Sequence, residues 1–452
     1  MTEALTHHDW SAVQAQRTRT LEAGEITAIL ALAGATDVIT FSGGFPDPAT
    51  FPRPVLAEIA SRLIAEDAAV ALQYSATEGL ARLRDYLRRR IESVQGLAPA
   101  PDGLMITSGG IDCMELLAKS YVDPGDVVVV EAPTYLGGIM AFRGYEADVR
   151  GVPMDDDGMR VDVLGDRLAS GLRPKIVYTI PDFQNPTGLS MSADRRQELV
   201  GLARRYGFLI LEDVAYSELA FDASASERRG GQERAEPSCR GGRRPEGAAV
   251  PAVAPSRPSA ARPWRGGIAS LWSLAPDVVL QAGTFSKVFV PGVRLGWAAG
   301  PDQIISRLII AKQNSDQCSG ALGQRMLEEY GRGGHLDRQI IKSRALYARR
   351  AALLDEALTA HMPPETTWTR PAGGFYIWVT APDGVDTVAL AGAARDRKVA
   401  YVPGQPFYPD RSGRAQMRLA YSRVADDLID EGVRRIAAVI RTALENTALE
   451  DK

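Results

Sequence analysis

The sequence has little of what metal centres and disulfide frameworks require. Its three cysteines, Cys113, Cys239 and Cys318, are far apart and form no CxxC pair, so neither a disulfide framework nor a zinc site is expected. Of the four histidines, His7 and His8 lie at the N-terminus, and the remaining two are too few for a histidine metal site or a histidine-based triad. The sequence therefore predicts no metal ligands.

Long apolar runs and a strong net charge are also missing. No window approaches the roughly 20 apolar residues of a transmembrane helix, and the N-terminus lacks the basic start and apolar run of a secretory signal. The net charge is -4 in 452 residues, which gives no basic field to attract nucleic acid. We therefore expect a cytoplasmic protein that acts on small molecules, with no nucleic-acid partner and no membrane partner.

The apolar residues that are present follow the pattern of an α/β fold. Between residues 50 and 320, helical patterns alternate with short apolar runs that have no polar alternation, which is typical of strands buried on both faces of a parallel sheet. These runs are DVVVVE (126–131), KIVYTIP (175–181), FLILEDVAY (208–216) and VVLQAGTFS (278–286). The sequence predicts a large domain with a mainly parallel sheet sandwiched by helices.

The chain is long enough for a second unit, because a single hydrophobic core stops growing at roughly 250 to 300 residues. After about residue 325, a long helical pattern is followed by the strand-like segments GGFYIWV and QMRLAYS, which indicates a smaller α+β domain. We expect residues 46–322 to form the large cofactor-binding domain and residues 323–452 the small domain. An N-terminal segment, 1–45, is expected to join the small domain.

One segment differs from the rest in composition. Residues 223–267 contain no Ile, Leu, Phe, Tyr or Met and are dense in Arg, Pro and Gly. Such a stretch cannot bury enough apolar surface to offset its ordering entropy, so a disordered surface insertion is predicted. A basic segment that docks a partner is the alternative.

A lysine stands where an apolar strand ends, in QAGTFSKVFVPGVRLGW (281–297). Alone, Lys287 would be expected to reach the surface along its aliphatic stem. Thr284, Ser286 and Arg294, however, form a phosphate-binding set around it, and a neighbouring cation lowers the pKa of an amine and makes it a nucleophile. The segment therefore indicates a lysine presented to a phosphate-bearing aldehyde, which suggests pyridoxal phosphate.

Three further segments supply groups that this cofactor requires. Its ring nitrogen needs a carboxylate partner, and Asp213 closes an apolar strand with Tyr216 three residues later. Asn185 precedes a proline, which disfavours helix and leaves the amide free for a ligand. Gly109 and Gly110 lie between a strand and a helix, where backbone N–H groups suit a phosphate. Taken singly, a helix cap at Asp213 and ordinary turns at the other positions are the alternatives.

In this order, the motifs resemble those of the fold type I pyridoxal-phosphate enzymes, class I/II aminotransferases in particular. The matching motifs are YTIPDFQNPTG, LEDVAYSEL, GTFSKVFVPGVRLGW and MRLAYS, and the resemblance runs from about residue 25 to 440 apart from the insertion. The opening FSGGFPDPATFP is similar to that of the branch containing 2-aminoadipate and kynurenine aminotransferases.

The resemblance implies an aminotransferase that moves the amino group of an α-amino acid to a 2-oxo acid, such as 2-oxoglutarate or pyruvate, by a ping-pong Schiff-base mechanism. It also implies a homodimer whose active sites are shared between subunits. Other pyridoxal-phosphate enzymes, such as β-lyases and decarboxylases, share the cofactor motifs and are the alternative. An aminotransferase-like transcription regulator is a second alternative.

The same resemblance implies roles for individual residues. Lys287 is the Schiff-base lysine and proton shuttle, Asp213 pairs with the ring nitrogen, and Tyr135 stacks on the ring. Arg418 binds the substrate α-carboxylate, supported by Gly44 and Asn185. The other implied contacts are those to the phenolic oxygen, from Asn185 and Tyr216, and those to the phosphate, from Gly109, Gly110, Thr284, Ser286, Arg294 and Tyr74 of the partner subunit.

Two departures from the family pattern bear on affinity and substrate. Where the branch often has Ser-Gln or Gln-Gln, this chain has Gly110, Ile111 and Asp112, so phosphate contacts rest on backbone amides and the Asp112 carboxylate is expected to oppose the phosphate. Thr27 falls where members that act on acidic side chains often carry an arginine. An apolar or aromatic amino acid is therefore at least as suitable a donor as 2-aminoadipate.

Overall fold

The structure is a computed structural model that describes residues 10–19, 27, 37–221 and 268–450, with side chains to residue 446. The predicted insertion at 223–267 lies outside the described residues. None of the helices in the described part of the chain is long and apolar enough to cross a membrane.

The strands, in chain order, are β1 (Ile39–Thr40), β2 (Leu104–Thr107), β3 (Val127–Ala132), β4 (Asp148–Asp155), β5 (Gly158–Met159), β6 (Ile176–Thr179), β7 (Leu209–Asp213), β8 (Val279–Thr284), β9 (Gly296–Ala299), β10 (Thr367–Trp368), β11 (Tyr376–Thr380), β12 (Val399–Ala400), β13 (Val402–Pro403) and β14 (Gln416–Ala420).

The helices, in chain order, are α1 (Gln16–Arg19), α2 (Arg53–Glu66), α3 (Ala68–Ala71), α4 (Ala81–Gln95), α5 (Gly110–Tyr121), α6 (Leu136–Arg143), α7 (Val161–Ala169), α8 (Ala193–Tyr206), α9 (Leu271–Leu274), α10 (Asp302–Gln313), α11 (Ala321–Arg332), α12 (His335–His361), α13 (Thr387–Asp396) and α14 (Ile429–Glu450).

The large sheet has the order β2-β9-β8-β7-β6-β3-β4-β5 among the described residues. Strands β4, β3, β6, β7 and β8 pair in parallel, while β9 is antiparallel to both of its neighbours. The four predicted apolar runs form β3, β6, β7 and β8, and their central residues are buried because helices flank the sheet. The predicted α/β fold with a mainly parallel sheet is confirmed.

A smaller antiparallel sheet, in the order β10-β11-β14-β13, follows in the C-terminal part. It contains the predicted strands GGFYIWV and QMRLAYS as β11 and β14, whose register places Trp378 opposite Arg418. The short strand β1 pairs in parallel with β12, so the N-terminal segment lies against the C-terminal part of the chain. The division of the chain into units at residues 45 and 322 stays a prediction.

The carboxyl ends of the parallel strands meet at one edge of the large sheet. Strands β3, β6, β7 and β8 end at Ala132, Thr179, Asp213 and Thr284. Ligands of open α/β sheets bind outside the carboxyl ends of the strands. This edge is therefore where the fold brings the predicted site residues together.

A buried ion pair holds the loop between β6 and α8, which carries Asn185. Arg196 of α8 is fully buried, and its Nη2 donates to Asp182 Oδ1 at 2.6 Å and to the carbonyl oxygen of Pro181 at 2.8 Å. Its Nε donates to the carbonyl oxygen of Met191 at 3.0 Å. One guanidinium therefore joins both ends of the loop.

Replacing this arginine by an apolar residue should destabilise the protein strongly. Arg196→Met should lower the free energy of unfolding by roughly 3 to 5 kcal/mol, because it removes the cation that pairs with a buried carboxylate. Urea denaturation followed by circular dichroism measures the change. The control is Arg204→Met on the same helix, since Arg204 pairs with Asp277 while both side chains are half exposed. The urea midpoint of Arg204→Met should equal that of the parent protein. Equal midpoints for the two variants would contradict the stabilising role of the buried pair of Arg196 and Asp182.

Candidate active site

A cavity of about 280 Å³ lies at the carboxyl edge of the large sheet and extends to the small sheet. Most of the predicted site residues line it, although they come from segments far apart in the sequence. The predicted residues in its wall are Gly44, Gly110, Tyr135, Asn185, Asp213, Tyr216, Thr284, Ser286, Lys287, Arg294 and Arg418.

Two predicted residues do not line the cavity. Gly109 lies just behind the wall, because a Cβ atom at this position would lie 2.7 Å from Nη2 of Arg294. Its φ of +98° belongs to the region that favours glycine, so the turn requires this residue. Tyr74 is 78% exposed on the surface of the chain. The expectation that Tyr74 serves a partner subunit stays a prediction.

Lys287 follows β8 and reaches into the cavity from its floor. Its Nζ donates to the carbonyl oxygen of Gly44 at 2.9 Å, and it lies 5.9 Å from the centre of the Tyr216 ring. Burial, followed by the nearby charge of Arg418, lowers the pKa of the Lys287 amine to about 8, although Asp213 acts in the opposite direction. Arg294, the neighbour expected from the sequence, contributes less than Arg418 does.

Asp213 ends β7 and is held by two donors. Its Oδ1 accepts from the backbone N–H of Ala215 at 3.0 Å, and its Oδ2 accepts from the hydroxyl of Tyr178 at 3.0 Å. Burial raises the pKa of Asp213 to about 6, while both hydrogen bonds and the Lys287 charge oppose the rise. The carboxylate is therefore mostly ionised at neutral pH and faces a cavity that also contains an amine.

The residues around Lys287 form a cluster of donors suited to a phosphate. Thr284 Oγ1 donates to Ser286 Oγ at 3.1 Å, and Arg294 Nη1 donates to the same Ser286 oxygen at 3.3 Å. Gly110, the first residue of helix α5, lies opposite, since a Cβ atom at this position would be 3.5 Å from the Thr284 Cβ. Hydroxyls, a guanidinium and a helix N-terminus thus face one another, which is the donor set that a phosphate dianion prefers.

Arg418 of β14 forms the opposite wall of the cavity. Its Nη1 donates to Asn185 Oδ1 at 2.9 Å and its Nη2 to the carbonyl oxygen of Ser42 at 2.8 Å. Its guanidinium lies 4.4 Å from the centre of the Tyr376 ring and 4.9 Å from that of Phe407. The buried Nε has no hydrogen-bond partner among the described residues, so a donor remains for an anionic ligand.

Some residues of the cavity were not predicted from the sequence. Tyr376 donates to or accepts from the Tyr216 hydroxyl at 3.0 Å, and a Cβ at Gly44 would lie 1.9 Å from its hydroxyl oxygen. Phe407 lies in a short turn whose sequence gives no functional signal. Tyr178 on β6 does not line the cavity but donates to Asp213 at 3.0 Å, and in the sequence it is part of an apolar run. Sequence pattern alone does not reveal which strand neighbours bring these rings to the site.

The carboxylate of Asp112 does not line the cavity. Its Oδ2 accepts from the backbone N–H of Ser108 at 2.7 Å and from Nζ of Lys312 at 3.1 Å. The expectation that this carboxylate directly opposes a phosphate is therefore not met by its position, since the carboxylate turns toward Ser108 and Lys312.

Comparison with known proteins agrees with this geometry. Residues 36–436 match the family described as aminotransferase class I and II. Over 441 residues the chain is 35% identical to aromatic-amino-acid aminotransferase 1 of Thermococcus litoralis, covering 97% of this chain and 96% of that protein. It is 31% identical to 2-aminoadipate transaminase of Thermus thermophilus, covering 96% and 98% of the two chains. The crystal structure of Pyrococcus horikoshii kynurenine aminotransferase aligns with a TM-score of 0.83 at 35% identity, covering 96% and 98%.

The mainly parallel sheet and a cavity with an amine, a carboxylate and a phosphate-type donor set define a fold type I pyridoxal-phosphate enzyme. Within that class, the chain belongs to the class I and II aminotransferases. It is a transaminase that uses pyridoxal phosphate, and the resemblance found in the sequence motifs is confirmed.

The shifted pKa of Lys287 gives a prediction for the cofactor-free protein. Only a neutral amine reacts with acetic anhydride, so modification of Lys287 should rise with pH and reach half its maximum rate near pH 8. Mass spectrometry of peptides after brief labelling measures the rate. Lys175 is the control, because its hydrogen bond to Asp126 raises its pKa and so moves its labelling to higher pH. If the labelling rates of Lys287 and Lys175 depended on pH in the same way, the cavity would not lower the pKa of Lys287.

Proposed function

We propose that this aminotransferase transfers the amino group of an apolar or aromatic α-amino acid to a 2-oxo acid, and that the cavity at the sheet edge is its active site. The observation that carries the proposal is the convergence of Lys287, Asp213 and Arg418 on one cavity. A ping-pong sequence follows, in which the donor leaves its nitrogen on the cofactor and the 2-oxo acid collects it.

The cavity offers a fitting group for each part of pyridoxal phosphate. Asp213 is proposed to hold the ring nitrogen, Tyr135 to stack on the ring, and Asn185 and Tyr216 to contact the phenolic oxygen. The phosphate is assigned to the donor set formed by Gly109, Gly110, Thr284, Ser286 and Arg294. When bound, the cofactor supplies a reactive carbonyl carbon and an electron sink, which the side chains of the protein lack.

Lys287 is proposed to move the proton. A pKa near 8 leaves part of the amine neutral at physiological pH, so Nζ can accept a proton from the Cα of the amino acid and return one. The hydrogen bond from Nζ to the carbonyl oxygen of Gly44 supports this role, because we assign Gly44 to the part of the cavity that binds the substrate. Asp213 remains charged over the same range, since its pKa of about 6 lies lower.

Arg418 is proposed to bind the α-carboxylate of the substrate. Its Nε is buried without a partner among the described residues, and a carboxylate next to it would receive a charge-assisted hydrogen bond. Asn185 accepts from Arg418 through Oδ1, so its Nδ2 donor is left for a ligand. Gly44 lies at the same end of the cavity, and any larger residue at this position would collide with Tyr376.

The wall of the cavity favours an apolar or aromatic donor. Among the described residues that line it, the cations are Lys287, Arg294 and Arg418, and each already has a proposed task. The remaining surface includes apolar side chains: Phe45, Ile111, Met114, Leu136 and Phe407. The relatives named for aromatic amino acids and kynurenine support this choice, whereas the relative named for 2-aminoadipate supports the alternative of an acidic donor.

Purified enzyme should show the visible absorbance of bound pyridoxal phosphate, and a competent amino donor should bleach it. Aromatic and aliphatic amino acids should do so more efficiently than 2-aminoadipate in a panel assayed with 2-oxoglutarate and with pyruvate. Product mass should show a new amino acid that forms only when a 2-oxo acid is present. Release of ammonia without an acceptor would instead indicate a lyase. Lys287→Ala should abolish turnover, and retained turnover would refute the proposed role of the lysine.

We also propose a homodimer that works in the cytoplasm, with Tyr74 completing the phosphate site of the partner subunit. The support is the 78% exposure of Tyr74 beside exposed Val70 and Leu72, which are 41% and 60% exposed. Exposed apolar groups next to one another are typical of an interface.

A subunit-mixing experiment tests the shared site. Tyr74→Ala should bind the cofactor weakly, and Lys287→Ala should be inactive. After unfolding and refolding the two variants together, mixed dimers should contain one site with both native residues and should regain tight cofactor binding and turnover. Each variant refolded alone is the control. A mixture no more active than the sum of the separate variants, or a monomer by analytical ultracentrifugation, would contradict the shared site.

A further inference from the structure

A fully buried lysine lies behind the proposed phosphate site and has no role in the mechanism described so far. Lys312, on helix α10, is 0% exposed. Its Nζ donates to Asp316 Oδ2 at 2.7 Å, to Asp112 Oδ2 at 3.1 Å and to Ser108 Oγ at 3.1 Å. Lysine is almost never fully buried unless its charge is paired, so these partners account for its position.

The partners of Lys312 surround the residue that precedes the two glycines. Asp112 Oδ2 also accepts from the backbone N–H of Ser108 at 2.7 Å. The hydroxyl of Ser108 donates to Asp316 Oδ2 at 2.6 Å and lies 3.2 Å from that of Ser319. Backbone and side chain of Ser108 are thus both fixed by the carboxylates that Lys312 pairs with, immediately before Gly109.

The cluster also controls where a negative charge lies. Asp112 is in the first turn of helix α5, where a carboxylate is attracted to the free N–H groups of the helix end. Here it turns instead toward Ser108 and Lys312, while Gly110 and Ile111 line the cavity. The helix end is therefore left to a ligand, and Lys312, which Asp112 shares with Asp316, offsets part of the charge of Asp112.

We propose that Lys312 is a positioning residue for the cofactor phosphate: it offsets part of the charge of Asp112 and, through this carboxylate, holds Ser108 so that Gly109 and Gly110 keep the shape that binds the phosphate. The inference rests on the proposed function, which assigns these glycines to the phosphate. Without Lys312, the Asp112 charge would lie unpaired beside a site for a dianion, and the two would repel each other.

The test compares two probes, pyridoxal phosphate and pyridoxal, which differ only in the phosphate. The full-length protein is stripped of cofactor and equilibrated by dialysis against a concentration series of each, and the bound fraction is read from absorbance. Lys312→Met should weaken binding of pyridoxal phosphate roughly 10- to 100-fold, by analogy with the loss of metal affinity when the hydrogen-bond partners of metal ligands are removed. Binding of pyridoxal should not change, whereas a general loss of structure would weaken the binding of both probes.

Two matched variants separate charge from packing. Lys119→Met is the control for a contact between the same two helices, because the exposed Lys119 of α5 donates to the carbonyl oxygen of Ala311 on α10 at 3.5 Å and to Ser315 Oγ, just after α10, at 2.7 Å. It should bind both probes as the parent does. Asp112→Asn keeps an acceptor for the Ser108 N–H and should bind pyridoxal phosphate at least as tightly as the parent, because it removes a negative charge that Lys312, which also pairs with Asp316, offsets only in part. The double variant Asp112→Asn with Lys312→Met should regain most of the lost affinity.

Several outcomes would overturn the inference. These are normal pyridoxal phosphate binding by Lys312→Met, equal losses for the two probes, and a double variant as weak as Lys312→Met. If Lys312→Met does not fold, the double variant, which has the same net charge as the parent, provides the test. Weak binding of pyridoxal phosphate by the double variant would contradict the proposed role of charge. Markedly weaker binding by Asp112→Asn alone would show that the site needs the charge of Asp112 itself, which would contradict the proposed role of Lys312. If the parent protein itself binds both probes equally, the proposed phosphate site is wrong, which is a different failure.

Discussion

The shape of the cavity depends on the guanidinium of Arg418. It donates to Asn185 at 2.9 Å and to the carbonyl oxygen of Ser42 at 2.8 Å, so one side chain of the small sheet joins the loop after β6 and the N-terminal segment. A buried guanidinium is costly unless its donors are paired or aromatic faces cover it, and Tyr376 and Phe407 provide those faces. Three parts of the chain are thereby fixed around one cation.

This cation also lowers the proton affinity of the amine opposite it. Burial and the charge of Arg418 lower the pKa of Lys287 to about 8, whereas burial raises that of Asp213 to about 6. Between these values the carboxylate is charged and the amine mostly protonated, and the neutral amine becomes dominant above them. A base whose pKa lies near the operating pH, as that of Lys287 does, is what proton transfer at a substrate carbon requires.

The sequence predicts the parts of this site that are local in the chain. The strand ends are recognisable because doubly covered strands lack polar alternation, and the segment 281–297 displays its lysine, hydroxyls and arginine within a few residues. Tyr178 reaches Asp213 from the neighbouring strand β6, and Tyr376 reaches Tyr216 from the small sheet. Such contacts depend on strand register and on the packing of one sheet against the other, which a single sequence does not encode in any local pattern.

The orientation of charged side chains also cannot be predicted from a local sequence pattern. Gln184 and Thr179 both donate to the buried carboxylate of Glu131, 53 and 48 residues away, and so tie the loop after β6 to the end of β3. Asp112 turns from the cavity because Lys312 lies 200 residues later in the chain but 3.1 Å away in space. Local motifs name the residues that we propose to meet the cofactor, but buried polar partners from distant segments decide where those residues point. A substitution among these partners can therefore change the affinity of the site while every motif residue stays in place.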